Sequence, residues 1–308
     1  MGTNVIDLTV KIGGKTLPNP VGVASGTFGY GREYEELLNL SDIGAIYTKA
    51  VTLLPRGGNP PPRIAETPSG IINSIGLANV GADKFISDKL PFLKNIPCAV
   101  VVNVAGSTEE EYLQVLQKLE TASDGIWGYE INVSCPNVKH GGLAFGTDPL
   151  QIERLTSSLR KLTQKPLIIK LTPNVTDITV IAKAAEAGGA DAVSLINTLV
   201  GMVIDTKKKR SAIGTLTGGL SGPAIRPVGV ALTYRASRAV SIPVIGMGGI
   251  MNADDALQYL LAGAAAIQIG TGTFVDPQIP GNVLNGIRTY CEEQKIKTVV
   301  DLRQLITH

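Results

Sequence analysis

Two lysines and three asparagines stand where a polar side chain could do chemistry. Each follows a short apolar run of the kind that forms a buried strand: Lys49, Asn103, Asn132, Lys170 and Asn197. A lysine at the end of a buried strand needs an anion or a polarised carbonyl nearby, because an unpaired buried charge is costly. One polar residue at a strand end is common, since strands end near solvent. Five in succession, all Lys or Asn, indicate a shared binding site.

Cys135 is a candidate nucleophile or general base. It lies three residues after Asn132, just beyond a strand end that already carries a polar side chain. A lone cysteine is more often a small buried apolar residue. We interpret Cys98 and Cys291 in that way, because neither follows such a strand end.

Two glycine-rich stretches end the last two apolar runs, Gly246-Met247-Gly248-Gly249 and Gly270-Thr271-Gly272. Glycines let backbone N–H groups approach phosphate oxygens without a Cβ atom in the way. Either stretch alone is more often a turn. The two together, at consecutive strands, predict a binding site for the phosphate of a ligand.

The elements that must position these residues repeat along the chain. Apolar runs alternate with polar or Gly-rich loops and helical patterns, which is typical of parallel strands buried on both faces. Eight such units predict a (β/α)8 TIM barrel, with its site at the C-terminal ends of the strands. An open doubly wound sheet is the alternative, although its glycine fingerprint would follow the first strand. The runs are residues 21–24, 45–48, 99–102, 128–131, 167–169, 192–196, 244–247 and 266–269.

We expect residues 1–308 to form a single domain, since no linker or low-complexity stretch divides them. Residues 8–17, with Gly13-Gly14 between two short alternating runs, predict a hairpin that closes the bottom of the barrel. The longer connections predict loop insertions at the catalytic face.

Composition restricts the classes of function. The net charge of +2 argues against a general nucleic-acid binder. Two histidines, His140 and His308, exclude a His-rich metal site, and no two of the three cysteines have the spacing of a zinc or iron–sulfur motif. The odd cysteine number, the absence of a signal peptide and the lack of an apolar run of about 18 residues predict a cytoplasmic protein without a membrane span.

The segment Asn132-Val133-Ser134-Cys135-Pro136-Asn137 resembles the active-site loop of dihydroorotate dehydrogenases. The similarity continues along nearly the whole chain. It implies an FMN-containing barrel that oxidises dihydroorotate to orotate in pyrimidine biosynthesis. The other matching motifs are Ala24-Ser25-Gly26, Thr48-Lys49-Ala50, Asn73-Ser74-Ile75-Gly76-Leu77, Asn103-Val104-Ala105-Gly106, Ile169-Lys170-Leu171, Ile196-Asn197-Thr198, Gly218-Gly219-Leu220-Ser221-Gly222 and both late glycine loops.

The resemblance also implies a role for each motif. Cys135 would be the base that takes a proton from C5 of dihydroorotate, while C6 gives a hydride to the flavin. The implied substrate-binding residues are Lys49, Asn73, Ser74, Ile75, Gly76, Leu77, Asn132, Asn197 and Thr198. The implied FMN-binding residues are Ser25, Lys49, Ala50, Asn103, Asn132, Lys170, Ile196, Gly222, Gly248, Gly249, Gly270 and Thr271.

Within this family the chain most resembles the soluble NAD-linked class, through Val-Lys-His-Gly-Gly at residues 138–142 and Phe-Gly-Thr-Asp-Pro at residues 145–149. The membrane-bound class carries an N-terminal extension and a serine base instead. The NAD-linked resemblance implies a homodimer of this chain within a heterotetramer, whose second subunit carries FAD and a [2Fe–2S] cluster. The lack of cluster-type cysteines here agrees with that arrangement. A fumarate-linked homodimer and a non-redox phosphate-binding barrel enzyme are the alternatives.

One charge run has no implied role: Lys207, Lys208, Lys209 and Arg210. The pattern is typical of a solvated hairpin tip. Attraction of an anionic substrate or of an acidic partner surface is the alternative interpretation.

Overall fold

The computed structural model describes residues 6–133 and 145–306, and its centre is a closed barrel of eight parallel strands. The described strands are β1 (Val10–Ile12), β2 (Lys15–Leu17), β3 (Val21–Val23), β4 (Ala45–Tyr47), β5 (Ile64–Thr67), β6 (Gly70–Asn73), β7 (Ala99–Val104), β8 (Gly128–Asn132), β9 (Leu167–Lys170), β10 (Ala192–Leu195), β11 (Leu199–Gly201), β12 (Ile204–Asp205), β13 (Arg210–Ser211), β14 (Gly218–Ser221), β15 (Val244–Met247) and β16 (Ala266–Ile269).

The barrel strands follow the order β3-β4-β7-β8-β9-β10-β15-β16, and β16 pairs with β3 to close the ring. Every neighbouring pair in the ring is parallel. The structure therefore confirms the (β/α)8 TIM barrel, and the open doubly wound sheet is excluded. The strands are buried on both faces, which explains why their sequences are apolar without alternation.

Helices cover the outside of the barrel. In the described residues, no helix combines the length and the apolar character needed to cross a lipid bilayer. The helices are α1 (Gly81–Lys84), α2 (Leu90–Leu93), α3 (Glu109–Glu120), α4 (Pro149–Arg160), α5 (Ile178–Ala187), α6 (Arg226–Ser237), α7 (Ala253–Leu261), α8 (Gly272–Val275) and α9 (Ile279–Glu293), with a π-helical segment, Phe85–Lys89, between α1 and α2. Shorter 3₁₀ turns lie at Arg32–Tyr34, Leu40–Asp42, Phe145–Thr147, Pro223–Ile225 and Val299–Gln304.

Side chains cap several of these helices at the N-terminus. Thr108 accepts a hydrogen bond from the backbone N–H of Glu111 at the start of α3, and Asn252 accepts one from the N–H of Asp255 at the start of α7. Such caps satisfy backbone N–H groups that have no partner inside the helix. The two caps fix where α3 and α7 begin after their strands.

The bottom of the barrel is closed by the N-terminal hairpin, as predicted. Strands β1 and β2 pair antiparallel around Gly13 and Gly14, whose φ angles are +55° and +75°. Two successive positive φ angles are the requirement of a type I′ turn, which explains the glycine pair. Val10, Ile12 and Leu17 are buried in the same apolar cluster as inward-facing residues of the barrel strands.

The opposite end of the barrel carries insertions, which also confirms the prediction. Strands β5 and β6 follow β4, and strands β11 to β14 follow β10. Four of them form an antiparallel sheet in the order β11-β14-β6-β5, in which Asn73 lies opposite Gly219. Segments about 150 residues apart in the chain are thereby brought to one side of the barrel mouth.

Candidate active site

A cavity of about 610 Å³ opens at the C-terminal ends of the barrel strands, beneath the antiparallel insertion sheet. Its volume lies within the range of about 300–1,000 Å³ that is usual for small-molecule and cofactor sites. Most of the residues that the sequence singled out line this one cavity. They are Ser25, Lys49, Ala50, Asn73, Ser74, Ile75, Gly76, Leu77, Asn132, Lys170, Ile196, Asn197, Thr198, Gly222, Gly248, Gly249, Gly270 and Thr271.

Two predicted site residues are not in that lining. Asn103 is fully buried, and its Nδ2 donates to Glu130 Oε2 over 2.6 Å. It lies below the cavity wall, because β7 runs on to Val104 instead of ending before Asn103. Cys135 lies outside the described residues, and its proposed role as a base stays a prediction.

Lys170 ends β9 and is one of the few buried charges of the barrel, with 5% of its surface exposed. Its Nζ donates to Ser25 Oγ over 3.4 Å and lies 3.9 Å from Glu130 Oε2. The ammonium group therefore reaches the cavity while a carboxylate stands behind it. This satisfies the expectation that a strand-end lysine must have a partner for its charge.

Glu130 is the centre of a polar cluster that the sequence analysis did not identify. Its Oε1 accepts hydrogen bonds from Ser194 Oγ at 2.7 Å and from Gln268 Nε2 at 2.8 Å, in addition to the bond from Asn103. Burial, and then the Glu130 charge, raise the pKa of the neighbouring Tyr47 phenol. The signal was present in the sequence as single polar residues inside apolar strands.

Amide side chains form another part of the cavity wall. Asn73 Nδ2 donates to the backbone carbonyl of Gly219 over 3.3 Å, and Asn197 Oδ1 accepts from the N–H of Thr198 at 2.8 Å. Asn174, which also lines the cavity and was not predicted, donates to the carbonyl of Thr198 over 3.0 Å. The wall thus presents amides whose orientation is fixed by their neighbours.

The glycine-rich end of the cavity lies where β15 and β16 finish. Gly222, Gly248 and Gly249 have φ angles of +101°, +126° and +68°. A Cβ atom on Gly249 would lie 2.7 Å from the carbonyl oxygen of Gly222, so the two backbones approach closely only without a side chain there. Tyr259 donates a 2.7 Å hydrogen bond to the carbonyl of Gly248 and holds the loop from behind.

This combination fits a phosphorylated ring cofactor such as FMN. The backbone at Gly248, Gly249 and Gly270 offers a cradle free of Cβ atoms, which suits a phosphate group. The cation of Lys170 lies in the cavity wall, where it can stabilise a ring system that becomes negatively charged. Within residues 6–133 and 145–306, no group of three or more His, Cys, Asp or Glu side chains is arranged to hold a metal ion.

The basic run lies apart from the cavity lining. Its residues occupy the exposed hairpin that β12 and β13 form, and Asp205 accepts hydrogen bonds from the backbone N–H groups of Lys207 and Lys208. The structure supports the interpretation of a solvated hairpin tip.

Comparison with known proteins shows the family of this chain. The family model for dihydroorotate dehydrogenase matches residues 7–290. A protein of Geotalea uraniireducens (strain Rf4) is 51% identical over 96% of this chain and 97% of its own length. A protein of Thermoanaerobacter sp. (strain X514) is 52% identical over 98% of both chains. Both relatives are named dihydroorotate dehydrogenase B (NAD(+)), catalytic subunit. The chain therefore belongs to the dihydroorotate dehydrogenase family.

Proposed function

We propose that this chain is the catalytic subunit of an NAD-linked dihydroorotate dehydrogenase, which oxidises dihydroorotate to orotate in pyrimidine biosynthesis. One observation carries the proposal. A single cavity combines a buried lysine, fixed amide side chains and a glycine cradle at the C-terminal end of a (β/α)8 barrel. The names of relatives that share about half of their residues with this chain favour the same activity.

FMN is the cofactor that we propose for the cavity. The phosphate would be held by the backbone N–H groups around Gly248, Gly249 and Gly270, with Gly222 and Thr271 beside them. Ser25, Ala50, Lys170 and Ile196 would contact the ring system, and Asn103 would support it from the layer below. Bound FMN would supply an acceptor for the hydride that leaves C6 of dihydroorotate. Mass spectrometry of the flavin released from purified protein tests this assignment, which FAD, or the absence of flavin, would contradict.

The substrate would lie against the amide wall. Asn73, Asn132 and Asn197 carry donors and acceptors that match the amide edges of a pyrimidine, and the fixed orientation of such groups lowers the entropy lost on binding. Lys49 would neutralise the substrate carboxylate, as an ammonium group does in a charge-assisted hydrogen bond. Ser74, Ile75, Gly76, Leu77 and Thr198 would complete the pocket.

Cys135 is the general base in this proposal. The C5 proton is acidified by the adjacent carbonyl of the substrate, and a thiol has an ordinary pKa close enough to neutral to accept it when its surroundings favour the thiolate. The residue follows β8 by three positions, and Val133, which is described, lines the cavity. This proximity in the chain supports a position of the thiol at the barrel mouth.

We further propose that the electrons leave through a second subunit with FAD and a [2Fe–2S] cluster, in a heterotetramer built on a homodimer of this chain. The words "catalytic subunit" in the names of the relatives support the existence of a second subunit.

An acceptor assay tests the complete proposal. The isolated chain is incubated with dihydroorotate and, in turn, with a redox dye, fumarate and NAD, and each reaction is repeated with a purified iron–sulfur flavoprotein subunit. We expect turnover with the dye alone and NAD reduction only after the second subunit is added. The Cys135→Ala variant, prepared in parallel, controls for turnover that does not use the cavity. Efficient fumarate reduction by the isolated chain would move the assignment to the homodimeric class, and NAD reduction without a partner would contradict it.

A further inference from the structure

A layer of polar side chains crosses the barrel interior directly below the cavity. Asn103, Glu130, Ser194 and Gln268 come from four different strands and are all fully buried. Interior layers of such barrels are usually filled with branched apolar side chains. A charged residue at this place therefore needs a reason beyond packing, because burying a charge is costly unless it is paired.

Glu130 is surrounded by donors. Asn103, Ser194 and Gln268 supply three short hydrogen bonds to its two oxygens. This is the environment of an ionised carboxylate, which can only accept hydrogen bonds. Within the described residues, the basic group that pairs with it is Lys170, whose Nζ lies 3.9 Å from Oε2.

The charge of Lys170 lies closer to the cavity than the charge of Glu130 does. Lys170 lines the cavity, whereas Glu130 does not. Lys170 reaches Ser25 on one side and Glu130 on the other, so its ammonium group is held between the cavity wall and the buried carboxylate. Any ligand in the cavity therefore meets a cation whose charge is already balanced from behind.

We propose that Glu130 is a positioning residue that fixes Lys170 and sets the net charge that the lysine presents to the cofactor. This inference rests on the proposed binding of FMN. The pair sums to zero charge, so Lys170 stabilises the negative charge of the reduced flavin less than an unpaired lysine would. Glu130 thus limits how strongly the protein stabilises the reduced flavin, so that the flavin can still pass its electrons on.

The experiment compares the affinities for oxidised and reduced FMN. Their ratio follows from the midpoint potential of the bound flavin relative to free FMN, measured on the holoprotein by equilibration with redox dyes. The variants are Glu130→Gln, Lys170→Met and the double variant. The matched control is Ser194→Ala, which removes one neutral donor to the same carboxylate without changing any charge.

The proposal predicts an order. Glu130→Gln leaves the charge of Lys170 unbalanced. The ratio of the affinity for reduced FMN to the affinity for oxidised FMN should therefore rise about tenfold or more over wild type, which is equivalent to about +30 mV for a two-electron couple. Lys170→Met leaves the carboxylate alone and shifts the preference in the opposite direction. The double variant, with a net charge of zero, lies between the single variants and close to wild type. Ser194→Ala stays within about threefold of wild type, since it removes a donor to Glu130 but changes no charge near the flavin.

Equal losses of affinity for both oxidation states in Glu130→Gln would overturn the proposal and leave Glu130 a packing residue. If Glu130→Gln fails to fold, the double variant decides, because removing both charges restores balance in the barrel interior. A folded double variant that prefers reduced FMN more than Lys170→Met does supports the charge pair. A double variant that also fails to fold overturns it. Failure of the wild-type chain to bind FMN would instead overturn the proposed function.

Discussion

Replacement of Gly249 by alanine is expected to weaken cofactor binding as well as to destabilise the fold. The φ angle of +68° costs an alanine about 1–2 kcal/mol, which applies to the folded state with or without ligand. In addition, the new Cβ would lie 2.7 Å from the carbonyl oxygen of Gly222 and 2.8 Å from Cβ of Arg226. The first of these is a backbone atom, so the loop itself must move.

The effect on FMN follows from that movement. A displaced loop loses at least one backbone N–H bond to the phosphate, and a hydrogen bond to a charged group contributes about 1.5–3 kcal/mol. The Kd of FMN should therefore rise about 10- to 150-fold, since each 1.4 kcal/mol is a factor of ten. Flavin fluorescence titration of the apoprotein measures this Kd, and thermal unfolding of the apoprotein measures the cost to the fold.

Gly14→Ala is the matched control. Gly14 also has a positive φ angle, +75°, but a Cβ atom there meets nothing within 4 Å, and the residue lies in the hairpin at the bottom of the barrel. We expect a similar loss of apoprotein stability from the backbone conformation and an FMN Kd within about twofold of wild type. An unchanged Kd in Gly249→Ala, or an equal rise in both variants, would refute the phosphate cradle.

Three other substitutions test separate parts of the site. Cys135→Ala should lower turnover about 10²- to 10⁴-fold while FMN binding is retained, and near-normal turnover at neutral pH would place the base elsewhere. Asn73→Ala should raise the KM for dihydroorotate about tenfold through a lost hydrogen bond, and an equal rise in the Kd of FMN would contradict a substrate-side role. Tyr259→Phe removes the hydrogen bond to the Gly248 carbonyl, so it should lower the free energy of unfolding by about 1 kcal/mol and raise the Kd of FMN several-fold. An unchanged Kd would show that the loop does not need this hydrogen bond.

The barrel could be predicted from the sequence because its strands are buried on both faces. The bounds predicted from the continuous apolar runs at residues 244–247 and 266–269 coincide with the observed bounds of β15 and β16. Cavity residues at strand ends, such as Lys170, could be predicted for the same reason, since a polar residue follows directly after the apolar run.

The polar layer below the cavity was harder to identify. Side chains of a strand alternate between the two faces, so Glu130 lies one layer below Asn132 on the inner face of β8. Strand β7 runs on to Val104, and Asn103 pairs with Glu130 in the ladder between β7 and β8, so Asn103 lies in the layer of Glu130 and not at a strand end. A sequence shows each of these polar residues separately, whereas their convergence on one carboxylate depends on barrel closure.

The pairing of the two insertions also lay beyond local patterns. Asn73 was assigned to the pocket by resemblance, but its hydrogen bond to Gly219 joins loops from different βα units. Such a contact depends on the register between β6 and β14, which neither segment specifies alone.

The most direct test of the central claim is a single-turnover reaction of the purified chain without oxygen or any external acceptor. The holoprotein is mixed with excess dihydroorotate, the loss of visible flavin absorbance is followed, and orotate is quantified after quenching. The proposed function predicts one orotate formed for each FMN reduced, with both changes lost together in Cys135→Ala. Flavin that stays oxidised in the presence of dihydroorotate, or bleaching without formation of orotate, would contradict it.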